Sequence, residues 1–366
     1  GTTWPSCSKP SRWCLAATAP TKGQASVTPA PDHHNNLTAL RWFAACLVLY
    51  GHAHALLGLP EVLFLDIVPM GLLGVYIFFA ISGYLVAQSW TRDPHVLRFL
   101  ARRSLRIFPG LVVCTLLSVL VLGPLLTTLD ANTYWRNEHT LGYLSNMVLY
   151  ISYHLPGVFA NNAWPHAVNG SLWSLPVEFA MYLLLALVGF VSTLTPIAMD
   201  RVRATNRLVG GLTLLFLGLA AFWALPSQEA WVIYRTDLRH IPLCGVYFMV
   251  GASLFCFKLE KYFTPTPVLL ALAAWFSLSH QTQWFAMASW LVLPFAVLAL
   301  GLARFPLLAR MQAHDYSYGI YIYAFPVQQS LVSFWPQMPL LVYLLSSFVI
   351  TVALAALSWH FVEKPA

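Results

Sequence analysis

Met70-Gly-Leu-Leu-Gly-Val-Tyr-Ile-Phe-Phe-Ala-Ile-Ser-Gly-Tyr-Leu-Val-Ala-Gln-Ser-Trp90 runs for 21 residues without a charged side chain. At 1.5 Å per residue a helix of that length rises about 31 Å, enough to cross a hydrocarbon core of roughly 30 Å. A water-soluble fold would have to wrap such a helix on every side, and this chain lacks the polar residues to do so. Hydrophobic residues make up 58% of its 366 positions and charged residues only 9%. A soluble domain carries about 25% charged residues because something must face water. Lipid must therefore cover the outside, and the chain reads as an all-α integral membrane protein.

Outward from this stretch, further apolar runs of about 17–22 residues follow one another. They predict about ten transmembrane helices, near 38–58, 70–90, 108–127, 172–192, 208–226, 241–257, 266–280, 284–302, 316–334 and 340–361. The segment 128–171 is wetter and rich in asparagine, and its single apolar piece, 141–153, is too short to cross. An external loop with an interfacial or re-entrant segment is expected there. Residues 1–36 are polar, rich in Pro, Ser, Thr and Ala, and have no apolar core of signal-peptide length. They read as a flexible cytoplasmic tail in which His33 and His34 are solvated, leaving 37–366 as the membrane domain.

Lysine and arginine set the orientation. With ten crossings and both termini cytoplasmic, 17 basic residues fall inside and only Arg136, Arg235 and Arg239 fall outside. An eleventh crossing at 141–153 would invert all that follows and put Arg201, Arg203 and Arg207 outside. The net charge of +7 thus reflects topology and gives no reason to expect a nucleic-acid partner. The six cysteines are scattered with no CxxC pair, so neither a metal site nor a disulfide framework is expected.

Ionisable groups at membrane depth are costly and mark function. Arg41 begins the first helix and His52 follows eleven residues later, about 16 Å along the axis. His54 points about 160° away from His52 and serves at most a different face. Glu178, in Ser171-Leu-Trp-Ser-Leu-Pro-Val-Glu178, lies roughly 10 Å into a helix that enters from the other side. His52 and Glu178 are therefore expected at similar depth, where a carboxylate-oriented histidine would act as general base on a hydroxyl. A buried structural ion pair is the plainer alternative. Ser174 sits one turn before Glu178 on the same face.

Five arginines between 92 and 106 exceed what topology alone requires. Within Arg98-Phe-Leu-Ala-Arg102-Arg103-Ser-Leu-Arg106-Ile-Phe-Pro109, read as an inner loop, Arg103 and Arg106 fall on one face and suit a bidentate phosphate clamp. The competing use is contact with anionic lipid. Gly74-Val-Tyr-Ile-Phe-Phe-Ala-Ile-Ser82-Gly83-Tyr84 brings small polar residues to mid-helix, which helix packing also explains.

Together these segments resemble the bacterial acyltransferase-3 family, membrane O-acyltransferases that modify surface glycans. Arg41 with ten residues to His52 is like the family's first-helix signature, Phe78-Phe-Ala-Ile-Ser82-Gly83-Tyr84 like its FFxxSGY, and Arg102-Arg103-Ser-Leu-Arg106-Ile-Phe-Pro109 like its RRxxRIxP. Ser171-Leu-Trp173-Ser174-Leu-Pro-Val-Glu178 is similar to SLWSLxxE, Tyr316-Ser-Tyr-Gly-Ile-Tyr321-Ile-Tyr-Ala324-Phe-Pro326-Val to YSxYLxHxPV, and Phe361-Val-Glu363-Lys364-Pro365 to LVEKP. Six motifs in order make the likeness specific over 37–364. It departs at Ala324, where many members carry histidine, so no catalytic role is given to that position. The sequence given ends at Ala366, and the membrane domain is expected to reach the acceptor alone.

The resemblance implies that 37–366 is a membrane acyltransferase domain of the bacterial inner membrane. Acetyl-CoA is the implied donor, and no bound cofactor is expected. A hydroxyl of a surface polysaccharide or lipid-linked oligosaccharide is the implied acceptor. It makes His52 and Glu178 catalytic and assigns Arg41, Arg102, Arg103, Arg106, Ser82, Tyr84, Trp173, Ser174 and Tyr321 to the acyl donor or substrate. A transporter or flippase is the competing class, since buried His, Glu and Arg also serve carriers. No second copy of Arg-x10-His or of Trp-Ser-x3-Glu points to the repeated halves common in carriers.

Overall fold

The computed structural model describes residues 35–224, 231–303 and 314–366. Most of the 1–36 tail, with His33 and His34, lies outside the described residues, as do Arg304 and Arg310. Asn36, at the end of that predicted tail, is itself buried, and its side-chain amide donates to the Ala303 carbonyl at 2.6 Å.

A helix stands at each of the ten predicted stretches. They are α1 (Leu37–Leu56), α2 (Met70–Arg92), α3 (Val96–Leu126), α4 (Ser174–Thr193), α5 (Ala198–Trp223), α6 (His240–Cys256), α7 (Pro265–Ser277), α8 (Thr282–Leu302), α9 (Ser317–Phe334) and α10 (Leu340–Ser358). Among the described residues, six runs are long and apolar enough to cross a membrane: α2, α3, Gly170–Thr193, Asp200–Trp223, α8 and Leu340–Glu363. Helices α6 and α7 are apolar but shorter. Large apolar side chains on the outer faces are open, among them Leu125 (74%), Leu214 (72%) and Leu341 (68%). In water these would be a liability; against lipid they are the expected exterior, and the chain is a multipass membrane protein.

Two helices extend beyond their predicted bounds. The basic stretch 96–107, read as a loop, is the first third of α3. The His95 side chain accepts from the Arg98 amide at the N-cap, and Asp93 bonds Arg98 and Arg102 one turn apart. Helix α5 likewise starts near 198, before the predicted 208, with Asp200 in its first turn. In both places charge lowered the hydropathy, although the charges kept helical spacing.

The segment between α3 and α4 has no helix longer than six residues. It holds short turns of helix at Ala131–Arg136, Glu138–Gly142 and Tyr143–Val148, and a small core of its own around Val119, Tyr143, Leu155 and Val168. Two antiparallel hairpins, Leu63–Phe64 with Val68–Pro69 and Val232–Ile233 with Thr236–Asp237, link α1 to α2 and α5 to α6. The paired positive φ values at Leu65 and Asp66, and at Tyr234 and Arg235, are those of tight twisted hairpin turns.

Helix α2 is the centre of the bundle, packed on α6 and α1, with α5 behind α6 and α9 against α10 and α1. The α2–α6 crossing is a backbone-to-backbone approach. A Cβ at Gly83 would collide with the Phe248 carbonyl, and one at Gly251 with the Ala80 carbonyl. Small residues let spanning helices approach in this way. Gly83→Val is expected to push α6 off α2 at about 1–3 kcal/mol. Thermal unfolding of the detergent-solubilised protein checks this; an unchanged midpoint would show that the crossing tolerates a side chain.

Candidate active site

The antiparallel run of α1 and α2 puts two sets of residues at opposite ends of the bundle. Arg41, at the start of α1, shares one end with the second half of α2 and the first turns of α3. His52, near the end of α1, shares the other end with Gly71 and Val75 of α2, Trp173 before α4 and His240 of α6. Each end opens into a cavity.

The first cavity, about 570 Å³, is lined by Arg41, Arg92, Arg102, Arg103 and Arg106 against Asp93, Glu178 and Asp315. Its carboxylates are unevenly shared. Asp93 takes Arg98 at 2.5 Å and Arg102 at 2.7 Å. Arg98 first, then Arg102, hold its carboxyl well below the usual carboxylate range. Asp315 takes Arg41 at 2.5 Å and Arg106 at 2.9 Å, and Arg106 also lies 3.8 Å from Glu363. Burial would raise the Asp315 carboxyl, but Arg41 and Arg106 outweigh it and hold it at about 2.

Arg103 is left over. Among the described residues no carboxylate comes within 4.0 Å of it. It touches Ser89 Oγ at 3.4 Å and lies 5.9 Å from the Tyr182 ring, and its Nε is buried without a partner. A buried donor without an acceptor costs about 1–3 kcal/mol, which a phosphate oxygen would relieve. The predicted Arg103–Arg106 clamp is therefore corrected. Arg106 is committed to Asp315 and Glu363, so Arg103 is a cation open to a ligand, as is Arg92 on the same wall, with the unpartnered Nη2 of Arg102 beside it.

The second cavity, about 670 Å³, is lined by His52, Glu61, His154, Trp164, His166, Trp173, His240, Tyr321 and Phe325, with no lysine or arginine among the described residues. The His52 ring stands edge-on to Phe325 at 5.1 Å. Its Nδ1 is buried and makes no hydrogen bond among the described residues. His54 turns away, with its Nδ1 3.2 Å from the Pro60 carbonyl. In the loop, burial and then the neighbouring His166 and His139 push His154 below the ordinary imidazole value, which keeps it neutral at pH 7.

A small cavity of about 40 Å³ lies between the two as a neck. It shares Arg41, Phe78, Arg106, Glu178 and Tyr182 with the first cavity and Val75 and Tyr321 with the second. Its wall is a set of hydroxyls around one carboxylate. Glu178 Oε1 accepts from Ser82 at 3.1 Å and from Tyr182 at 2.5 Å. Tyr321 Oη is 2.7 Å from Ser174 Oγ and donates to the Ser171 carbonyl at 2.6 Å.

Arg41, Arg102, Arg103, Arg106, Ser82, Ser174, Trp173 and Tyr321 thus all meet the cavities or their neck. Two predictions do not hold. Glu178 does not orient His52, because it is engaged by Ser82 and Tyr182 on the arginine side of the neck while His52 faces the opposite cavity. Tyr84 points away and donates to Glu260 at 2.9 Å. Two residues from Ser82, it lies about 200° around the helix. The sequence reading missed Asp315 and Tyr182. Tyr182 was within reach, one helical turn after Glu178 on the same face.

A family model described as an acyltransferase domain matches residues 34–360. The chain is 31% identical over 342 residues to an O-acetyl transferase of Shigella phage Sf6, covering 90% of this chain and 95% of that protein. It is 28% identical to nodulation protein 10 of Rhizobium leguminosarum bv. viciae, covering 91% and 93%. It is also 31% identical over 157 residues to the acyltransferase MdmB of Streptomyces mycarofaciens, covering 40% and 37%. No solved structure matches the chain significantly. With a family model spanning nearly the whole membrane domain and both long relatives covered almost end to end, the chain belongs to the acyltransferase-3 family and is an O-acyltransferase.

Proposed function

We propose that this enzyme moves an acetyl group from acetyl-CoA, held at the arginine cavity, to a hydroxyl of a surface polysaccharide or lipid-linked oligosaccharide held at the histidine cavity. One observation carries the reading: two cavities of similar size, one arginine-lined and one without lysine or arginine among the described residues, flank a small third cavity that shares wall residues with both. Coenzyme A is polyphosphorylated and matches Arg103, whereas an uncharged sugar has no need of arginine. A carrier would need no such division of chemistry between its ends. In this reading the arginine end and both termini face the cytoplasm, ten helices cross, and the membrane is the bacterial inner membrane.

The donor's phosphates stay with Arg103 while its slender pantetheine arm carries the thioester into the neck. His52 takes the proton of the acceptor hydroxyl, whose oxygen attacks the thioester carbonyl. The tetrahedral intermediate collapses with cleavage of the C–S bond. The coenzyme leaves as thiolate and regains a proton, and the acceptor becomes an ester. Glu178 holds the Ser82 and Tyr182 hydroxyls at the neck, where the arm must pass. The near relative's name, O-acetyl transferase, supports acetyl as the group transferred.

Ester-linked acetate on surface polysaccharide, compared between cells with and without the gene, tests the reading; equal acetate would overturn the acceptor class. Arg103→Ala is expected to raise the KM for acetyl-CoA about tenfold, the loss of roughly one charge-assisted contact, with less effect on kcat. The same KM for 3′-dephospho-CoA thioester in both proteins would place Arg103 at the 3′-phosphate; an unchanged KM for acetyl-CoA would remove it from the donor site.

A further inference from the structure

The histidine cavity has one wall that no motif accounts for. Trp164, Pro165, His166 and Ala167 of the 162–167 segment line it. Trp164 is 49% exposed, and the segment beneath it is fixed. It is fixed from inside the bundle by Gln329 of α9, which is 0% exposed. The Gln329 amide donates to the Trp164 carbonyl at 2.8 Å and to the Ala167 carbonyl at 2.9 Å. Its Oε1 accepts from Asn162 Nδ2 at 2.6 Å, and Ser333 donates to Asn162 Oδ1 at 3.0 Å. Every polar atom of a buried glutamine is thus spent on the backbone and side chain of one loop. His166 is held at φ 64°, a conformation that costs a non-glycine residue energy and persists where neighbours impose it.

Trp173, half-buried and tilted on His240 with ring centroids 4.4 Å apart, also lines the cavity. His52, with an unpartnered buried nitrogen, and Glu61 line the same cavity. Aromatic faces, imidazoles and one carboxylate, with no lysine or arginine among the described residues, suit a ring that is apolar on its faces, hydroxylated at its edge and free of negative charge.

We propose that residues 162–167 form a strap that binds a neutral pyranose ring of the acceptor, with Trp164 as its stacking surface and Gln329 as the positioning residue that sets the strap over His52. The inference rests on the carbohydrate-acceptor reading above and adds the residues that select the sugar. Trp164 touches the acceptor; Gln329 acts only through the loop it holds.

The test uses the full-length protein in nanodiscs, acetyl-CoA, and oligosaccharide released from the surface polysaccharide of cells lacking the gene. Trp164→Ala is expected to raise the KM for the oligosaccharide about tenfold, as losing an aromatic anchor does at an interface, with kcat changed less than twofold and the KM for acetyl-CoA unchanged. Trp164→Phe is expected to recover most of the loss. Gln329→Met is expected to raise the same KM while leaving the KM for acetyl-CoA unchanged, which shows the variant folded. If the wild type acetylates the oligosaccharide and Trp164→Ala does so with an unchanged KM, the strap is overturned and the acceptor class stands. If the wild type transfers nothing to any such oligosaccharide, the acceptor reading fails and the strap with it.

Discussion

His52→Ala is expected to lower acetyl transfer by about 10²–10⁴-fold, the span that a positioned general base contributes. Acetyl-CoA affinity is expected to stay within about twofold, because the arginine cavity lies at the other end of the neck. The split follows from the geometry. His52 lines the cation-free cavity, with its ring against Phe325 and its Nδ1 shut off without a partner, leaving Nε2 to meet a substrate hydroxyl. Among the described residues no carboxylate fixes its tautomer, unlike the arrangement in which an aspartate orients a catalytic histidine. Donor titration and single-turnover transfer, at equal protein level in the membrane, check both halves. A variant that keeps more than a tenth of the rate ends the general-base role; one that loses donor affinity as well moves His52 to the donor path.

The bundle was largely legible because lipid leaves a strong mark on sequence. The reading placed α2 at 70–90, α6 at 241–257 and α9 at 316–334, and the helices are Met70–Arg92, His240–Cys256 and Ser317–Phe334. It failed where charge interrupts the apolar signal, so the arginine-bearing start of α3 was taken for a loop. The site was half legible. Residue spacing put His52 and Glu178 at similar depth, but it cannot say which cavity each side chain enters, and Glu178 lines the arginine cavity while His52 lines the opposite one. The neck that separates them is made by Phe78, Tyr182 and Tyr321 from three helices, a meeting no local spacing encodes. The strap carrying Trp164 was out of reach for the same reason, since Gln329 stands 165 positions away from the carbonyl it holds.

Asp315→Ala is expected to cost about 3–5 kcal/mol, the range for removing one member of a buried ionic cluster. The reason is what it strands. Arg41 and Arg106 converge on one carboxylate, with side chains only 23% and 22% exposed, and without it two guanidiniums face each other over the third member, Glu363. Set against a folding stability of about 5–15 kcal/mol, this is a large share. The cluster also ties function together. Arg41 opens the helix that carries His52, Arg106 sits one turn after Arg103, and Asp315 precedes the helix that carries Tyr321. The carboxyl titrates lower in the fold than in the unfolded chain, at about 2 against 3.8. Its contribution is therefore complete above about pH 4 and fades only as pH falls through the folded value. Wild type and Asp315→Ala are thus expected to differ by the same stability from pH 5 to 8, in thermal unfolding of the solubilised protein. Pairing Asp315→Ala with Arg41→Gln, which removes one stranded cation, is expected to recover part of the loss as a coupling between neighbours. If the single variant stays within about 1 kcal/mol of wild type, solvent already screens the pair as it does at a surface, and the cluster no longer explains how the two ends of the enzyme are held in register.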